Sequence, residues 1–220
     1  FVFLVYSRAM NSELLITRTK RMKKITKVLQ GLFPIRKTML VYHNPFELLI
    51  SVILSAQCTD AQVNRVTPLL FKHYGTPVLL SKAKQTDIEK IIFTTGFYKS
   101  KAKRVIRCAQ QLVENFRGIV PQTMDELVTL SGVGRKTANV VLGNAFNIQS
   151  GIAVDTHVKR FAINHKLTDH TDPNSIEQDL KQIIPQKLWT DIAYYMISYG
   201  REICPARKHD HDRCPCTQYC

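Results

Sequence analysis

Two adjacent cations, Arg135 and Lys136, stand where a helix normally avoids them. They follow a Gly-Val-Gly turn in the stretch LSGVGRKTANVVL, residues 130–142, and an apolar helical run follows them. The macrodipole makes the first turn of a helix electropositive, so cations usually occupy the last turn. A lysine is a nucleophile only when its amine is neutral, and a repulsive field of this kind disfavours the ammonium. Lys136 is therefore a candidate nucleophile.

The turn before these cations has the features of an anion site. Glycines at positions 132 and 134 permit positive φ and let a ligand approach the backbone closely. The first N–H groups of the following helix point outward and Arg135 adds charge, so a phosphate would fit there. A nucleotide-binding P-loop is excluded, because the G-x-x-x-x-G-K-[ST] spacing is absent and no strand precedes the turn. Two interpretations remain: a phosphate site, or a glycine cap followed by a solvated Arg-Lys pair.

The end of the chain has the composition of a metal site. Four of the six cysteines fall in the last 17 residues, and such clustering usually indicates metal binding. Cys58 and Cys108 are isolated, as is typical of reduced thiols. A disulfide framework is not expected in a chain of this size.

Helical periodicity predicts the elements that position these residues. No alternating strand pattern occurs, so the expected class is all-α, with about ten short helices. The stretch NPFELLISVILSAQ opens with Asn44 as N-cap, a proline at N1 and a glutamate at N3, and its apolar run predicts a buried central helix. Thr59 and Gln62 predict a capping box for the next helix, which places Gln57 in a tight loop.

The charge of the chain favours a polyanionic partner. The 220-residue chain has 31 Lys and Arg residues and 17 Asp and Glu residues, which gives a formal net charge of +14. Nucleic acid or an anionic surface would be attracted by that field. No segment is long and apolar enough to span a membrane, so an intracellular protein without a membrane partner is expected. Residues 1–16 are predicted to be a poorly ordered extension, with Met10 as a possible start.

Taken together, these motifs resemble those of a single protein family. LSGVGRKTANVVL followed by IAVDTHVKR closely resembles the helix-hairpin-helix and Gly/Pro–Asp loop of the endonuclease III family of DNA glycosylases. NPFELLISVILSAQCTD and GFYKSKA match the same family in the same order. The resemblance implies a monomer of two helical lobes, a barrel-like domain at residues 40–148 and a second domain of residues 17–39 with 149–220. Double-stranded DNA with a damaged base or an abasic site would cross the cleft between them.

The resemblance also implies the chemistry. Lys136 would attack C1′ of an oxidised pyrimidine nucleotide, displace the base and form a Schiff base, and β-elimination would then cleave the strand. Asp155 matches the catalytic aspartate, which would take a proton from the amine and stabilise positive charge on the sugar. Asp before Thr-His-Val also predicts a helix N-cap, and both roles are compatible. His157 aligns near the site, either as a catalytic or as a buried hydrogen-bonded residue.

Two other activities remain as hypotheses. The chain could be a non-catalytic DNA-binding module that uses its hairpin only for backbone contacts. It could also be a related glycosylase with a preference for mismatches or photoproducts, because pocket residues set that choice.

Further DNA contacts follow from the resemblance. A base inside the stack must be flipped out, and Gln57 would fill the vacated space while Phe97 would act as a wedge in the opposite strand. The alternatives are a loop amide for Gln57 and a core residue for Phe97. Arg207 and Lys208 would contact phosphate, unless they are simply solvated. The predicted phosphate contacts of the hairpin are Gly132, Gly134 and Arg135.

The tail departs from the family pattern, which is C-x6-C-x2-C-x5-C around a [4Fe–4S] cluster. From Cys204, the second ligand position is His211, and Cys214 and Cys220 follow in place. Cys216 is an extra thiol and an alternative fourth ligand. Histidine can ligate iron in such clusters, and a Cys₃His set could equally hold zinc. The expectation is a [4Fe–4S] cluster, with zinc or no metal as alternatives.

Overall fold

Helices form the regular secondary structure, as the periodicity predicts. The computed structural model describes the backbone of residues 2–33 and 38–219, with side chains from residue 12 onward in those ranges. Within them no strand occurs, which confirms the all-α class. The α-helices of this described part are α1 (Val2–Leu32), α2 (Pro45–Leu54), α3 (Asp60–Tyr74), α4 (Pro77–Ser81), α5 (Gln85–Ile92), α6 (Tyr98–Phe116), α7 (Met124–Leu127), α8 (Arg135–Ala145), α9 (Thr156–Asn164), α10 (Pro173–Ile183) and α11 (Trp189–Ser198).

The chain divides into two compact units. Thr38–Ser150 forms one, and the other combines Phe1–Lys37 with Gly151–Cys220. The sequence predicts one domain at residues 40–148 and a second made of residues 17–39 and 149–220. These domain bounds stay a prediction. The predicted extension at residues 1–16 lies largely outside the residues whose side chains are described.

Helix α2 is the buried centre of the Thr38–Ser150 unit. Asn44 caps it, accepting a hydrogen bond from the backbone N–H of Glu47 at 2.9 Å. The Glu47 carboxylate accepts in return from the backbone N–H of His43 at 2.8 Å, so the predicted N-terminal signature is confirmed. Leu48, Leu49 and Ile50 are fully buried although they face different directions. Each such side chain contributes roughly 1.5–3 kcal/mol of burial free energy.

The capping box predicted for α3 is only half formed. Thr59 accepts the backbone N–H of Gln62 at 3.2 Å. The Gln62 side chain instead donates to the Thr94 hydroxyl at 2.6 Å. The Gln62 amide, which the local pattern predicted to bond the helix cap, therefore bonds Thr94 in the segment after α5 instead.

The second unit packs α1 against α10 and α11. The buried stripe on α1 has helical spacing and is made of Met22, Ile25 and Leu29, and Phe33, just after the helix, is buried as well. A buried glutamate, Glu177 on α10, accepts the backbone N–H of Ile152 at 3.2 Å and fixes the chain as it enters this unit. Among the described residues, no helix has the length and apolar character needed to cross a membrane.

Candidate functional site

A hairpin of α7 and α8 presents the glycine turn. Gly132 has φ +82°, and a Cβ there would lie 3.1 Å from Ile53 Cγ2. The positive φ favours glycine, as predicted, and any larger residue would also press on the Ile53 side chain. Gly134 is different: its φ is −100° and its ψ 178°, so it does not use the positive φ that a glycine allows. Its added Cβ would meet nothing within 4 Å, so Gly134 leaves open space in front of α8.

A glutamine that the sequence analysis missed holds this hairpin. Gln111, on α6, donates to the carbonyl of Thr129 at 3.1 Å and accepts from the backbone N–H of Ser131 at 2.7 Å. These bonds satisfy loop backbone groups that would otherwise need water. No local signal marks Gln111, because its partners lie about twenty residues away along the chain.

Lys136 is exposed in the first turn of α8, and the half-buried Arg135 precedes it. Gly134 begins the helix by accepting the backbone N–H of Ala138 at 3.0 Å. The other side of α8 is buried through Ala138, Val141 and Leu142, and α8 packs against α2. The buried face thus fixes the helix, while its first turn presents N–H groups and an amine to solvent.

Asp155 is the N-cap of α9. Its Oδ1 accepts the backbone N–H groups of His157 at 2.8 Å and Val158 at 2.9 Å. This confirms the predicted cap, and it holds the carboxylate in one orientation. Because both bonds end on Oδ1, the cap leaves Oδ2 available to other partners.

His157 follows in the first turn of α9 and is half-buried. Burial lowers the pKa of His157, while the charge of the neighbouring Asp155 carboxylate opposes that shift. Gly200 packs directly on the ring, since a Cβ there would stand 2.8 Å from His157 Nδ1. The ring of His157 is therefore tightly packed against Gly200.

Gln57 and Phe97 each occupy a left-handed backbone conformation. Their φ values are +52° and +47°, rare for residues other than glycine. Gln57 lies exposed in the loop between α2 and α3. Phe97 is 67% exposed at the start of α6, which excludes the core interpretation. Two exposed side chains on strained turns are typical of functional positions.

A buried lysine, Lys101, supports the turn that carries Phe97. It is 3% exposed, and its Nζ donates to the carbonyl of Thr95 at 2.7 Å. Burial lowers the pKa of Lys101, and the nearby Cys58 opposes the shift. The motif GFYKSKA contains this lysine, but nothing in its pattern showed that the ammonium would turn inward.

The tail brings together four metal-ligating side chains. One ligand atom from each of Cys204, His209, His211 and Cys214 lies within 4.8 Å of the other three. Three of these were predicted; His209 was missed, although the short His-Asp-His run at residues 209–211 is a signal of metal binding. Of the other predicted ligands, Cys220 lies outside the described residues.

The remaining tail residues have separate positions. Cys216 is fully buried, and its backbone N–H donates to the hydroxyl of Tyr199 at 3.1 Å. Arg207 and Lys208 are exposed. Their predicted phosphate contacts stay a prediction.

Comparison with known proteins gives consistent matches. The family model described as HhH-GPD superfamily base excision DNA repair protein matches residues 50–186. Endonuclease III of Synechocystis sp. is 45% identical over 204 residues, covering 93% of this chain and 93% of that protein.

Two solved structures match at a TM-score of 0.87 and 39% identity, each covering 92% of this chain. One is a non-covalent endonuclease III–DNA complex, of which 94% is covered. The other is a trapped endonuclease III–DNA covalent intermediate, of which 95% is covered.

Proposed function

We propose that this chain, which belongs to the endonuclease III family within the HhH-GPD superfamily of base excision DNA repair proteins, is a DNA N-glycosylase and AP lyase. Its substrate would be double-stranded DNA with an oxidised pyrimidine or an abasic site, inside the cell. The observation that carries the proposal is the exposed amine of Lys136 in the first turn of α8. A relative trapped as a covalent intermediate with DNA supports a reaction through such an amine.

The α7–α8 hairpin binds a phosphate of the DNA backbone in this proposal. The first-turn N–H groups of α8 donate, and the macrodipole and Arg135 favour the negative charge. Open space at Gly134 lets the phosphate approach the backbone. The bound anion also stabilises the two cations that otherwise repel each other in this turn.

In this proposal, Gln57 and Phe97 stabilise the DNA with the damaged base flipped out. Their exposed side chains project from turns whose backbone is fixed in the left-handed region. Phe97 would wedge between bases of the opposite strand, and the Gln57 amide would hydrogen-bond to the unpaired partner. Unstacking costs a few kcal/mol, least at a damaged pair.

Lys136 performs the covalent step. The lone pair of neutral Nζ attacks C1′, the glycosidic bond breaks, and the base leaves with the bonding electrons and takes up a proton. Loss of the amine protons and opening of the sugar give an imine. Removal of a C2′ proton then expels the 3′ phosphate by β-elimination, and water hydrolyses the imine to release the enzyme.

Asp155 supplies a base and a negative charge in this reaction. It would accept a proton from the amine of Lys136 and stabilise positive charge at C1′ in the transition state. The cap bonds to Oδ1 restrict the carboxylate to one orientation, so little reorganisation is required during the step.

The Cys/His cluster indicates a metal site in the tail. The family resemblance implies a [4Fe–4S] cluster on Cys204, His211, Cys214 and Cys220. Each of the four irons would take its own protein ligand, so the ligand atoms would stand farther apart than those around one ion. The described donors, all within 4.8 Å of one another, do not fit that spacing. The reaction steps above are assigned to Lys136 and Asp155.

Borohydride trapping tests the proposed function. Wild type, Lys136→Gln and the exposed control Lys82→Gln are incubated with duplex DNA carrying an oxidised pyrimidine. Borohydride reduces an imine to a stable amine, so wild type and Lys82→Gln should form a covalent adduct and Lys136→Gln should form none. An adduct with Lys136→Gln would show that another amine reacts.

The alternative functions give other outcomes. An adduct on an abasic site but not on an oxidised pyrimidine would indicate a different damage preference, such as mismatches or photoproducts. Binding of both duplexes by wild type without any adduct would indicate a non-catalytic DNA-binding module.

A further inference from the structure

We propose that Cys204, His209, His211 and Cys214 bind a single zinc ion in a tetrahedral Cys₂His₂ site, in place of the four-iron cluster that the family pattern implies. His209 is a ligand in this site, although it lies outside the C-x6-C-x2-C-x5-C spacing. The proposed ligand set includes neither Cys216 nor Cys220. The proposal stands independently of the glycosylase and lyase activities.

The distances between the donor atoms fit one small ion. A tetrahedral zinc with bonds of ~2.0–2.3 Å separates its ligand atoms by about 3.3–3.8 Å. Cys204 Sγ lies 3.7 Å from His211 Nδ1, and Cys214 Sγ lies 3.4 Å from His209 Nε2. Both cysteine–histidine distances therefore fall within the ligand spacing expected around zinc. All four atoms stay within 4.8 Å of each other.

The ring of His209 is oriented as a ligand. Its Nδ1 lies 2.9 Å from the carbonyl oxygen of Arg207, which can only accept, so Nδ1 carries the proton. In the neutral ring Nε2 is then the nitrogen that can bind a metal, and it lies 3.4 Å from the sulfur of Cys214. Metal-binding histidines typically donate their other ring N–H to a backbone carbonyl in this way.

The backbone that carries the Cys204 sulfur is held by the rest of the unit. Arg160 donates to the carbonyls of Gly200 at 3.0 Å and Cys204 at 2.9 Å. The backbone N–H of Cys204 bonds the carbonyl of Tyr199 at 2.8 Å. Cys204 and Cys214 are only 5% and 4% exposed. Burial excludes water, and the held backbone reduces the entropy lost on binding the ion.

The chemistry of the donor set selects the metal. Zinc has no geometric preference of its own and takes two thiolates and two imidazoles in closed structural sites. Two thiolates also neutralise the charge of Zn²⁺, which favours burial of the site. An iron–sulfur cluster is held mainly by thiolates, one on each iron, and this group of donors holds only two.

Metal analysis is the first test. The full chain is purified without oxygen from cells supplied with both iron and zinc, so that a cluster is not lost to oxidation. The expected content is about one zinc per chain, without iron and without the visible absorption of an iron–sulfur cluster. About four irons per chain, or no metal at all, would overturn the proposal.

Substituting cobalt for zinc tests the ligand set in the unaltered chain. Tetrahedral Co²⁺ gives intense visible d–d bands, and each bound thiolate adds charge-transfer absorption. The spectrum should correspond to four-coordinate cobalt with two thiolates. Weak bands of six-coordinate cobalt, or the intensity of three or more thiolates, would contradict the proposed ligands.

A matched pair of variants distinguishes zinc from the family pattern. His209→Gln should lower the zinc affinity at least about tenfold, measured by competition with a chromophoric chelator. Cys220→Ser should leave it unchanged, and His209→Cys should restore it by supplying a third thiolate. Loss of metal in Cys220→Ser with retention in His209→Gln would favour the cluster ligands instead. Circular dichroism checks that each variant is folded.

Discussion

At the scale of a single residue, Asp155 has an observed structural role as a helix cap and a proposed chemical role as a base. Its Oδ1 accepts two backbone N–H groups at the start of α9, at 2.8 and 2.9 Å. These two hydrogen bonds would explain an aspartate at this position even if the residue had no catalytic role. They also hold the carboxylate rigidly, which a catalytic acid or base requires. The two roles depend on different properties, since a cap needs an acceptor oxygen and a base needs a negative charge.

Two substitutions at Asp155 should therefore separate the roles. Asparagine caps a helix about as well as aspartate, so Asp155→Asn should change the free energy of unfolding by less than about 0.5 kcal/mol. The same variant should lower single-turnover cleavage by about 10²–10⁴-fold, because the amide cannot accept the proton. Asp155→Ala should lose activity and also about 1 kcal/mol of stability. Urea unfolding and cleavage of abasic DNA measure the two effects, and full activity in Asp155→Asn would remove the carboxylate from the mechanism.

At the scale of elements, the α7–α8 hairpin depends on two glycines for different reasons. Gly132 is favoured by its φ of +82°, and an added Cβ would lie 3.1 Å from Ile53 Cγ2. Gly134 has an ordinary extended backbone and open space beside it. The first glycine therefore forms the turn, and the second leaves room for what binds there.

The two alanine variants should differ accordingly. Gly132→Ala should cost about 1–3 kcal/mol of stability, because alanine is strained at positive φ and must displace Ile53. Gly134→Ala should cost only about 0.5 kcal/mol, from a poorer N-cap. It should nevertheless weaken binding to duplex DNA by roughly tenfold, since its methyl group occupies the phosphate approach. Unchanged DNA affinity in a stable Gly134→Ala would argue against a phosphate at this turn.

On the scale of the whole molecule, charge is the dominant property. A net charge of +14 on 220 residues creates a field that attracts DNA before any specific contact forms. Sequence-independent affinity of this kind comes from the release of counterions from phosphates. In the proposed function, damage recognition is then the role of the turns that carry Gln57 and Phe97.

Binding to undamaged duplex should therefore depend strongly on salt. Between low and moderate salt, the affinity for DNA should fall on the order of 10²-fold or more, and the logarithm of the binding constant should fall linearly with the logarithm of the salt concentration. Arg135→Gln should reduce the slope by about one, because one phosphate contact is lost. Fluorescence anisotropy across a salt series measures both slopes. A slope near zero for wild type would exclude backbone phosphates as the main source of affinity.

Interactions between neighbouring residues along the chain were predictable from sequence. The caps at Asn44, Thr59 and Asp155, the helical class and the positive φ of Gly132 all depend on residues only a few positions apart. The candidate amine of Lys136 was predictable for the same reason: its place in the first turn of a helix follows from the glycine turn just before it.

Only the tertiary structure decided where long side chains find their partners. Gln62 bonds Thr94 instead of its own cap, Gln111 reaches the α7–α8 hairpin, and the ammonium of Lys101 turns inward to Thr95. His209 joins a metal-ligating group that the family spacing does not include. These outcomes depend on which segments pack together and on the burial that results. Short-range propensity determines the helices and their ends, whereas packing between distant segments determines the partners of flexible polar side chains.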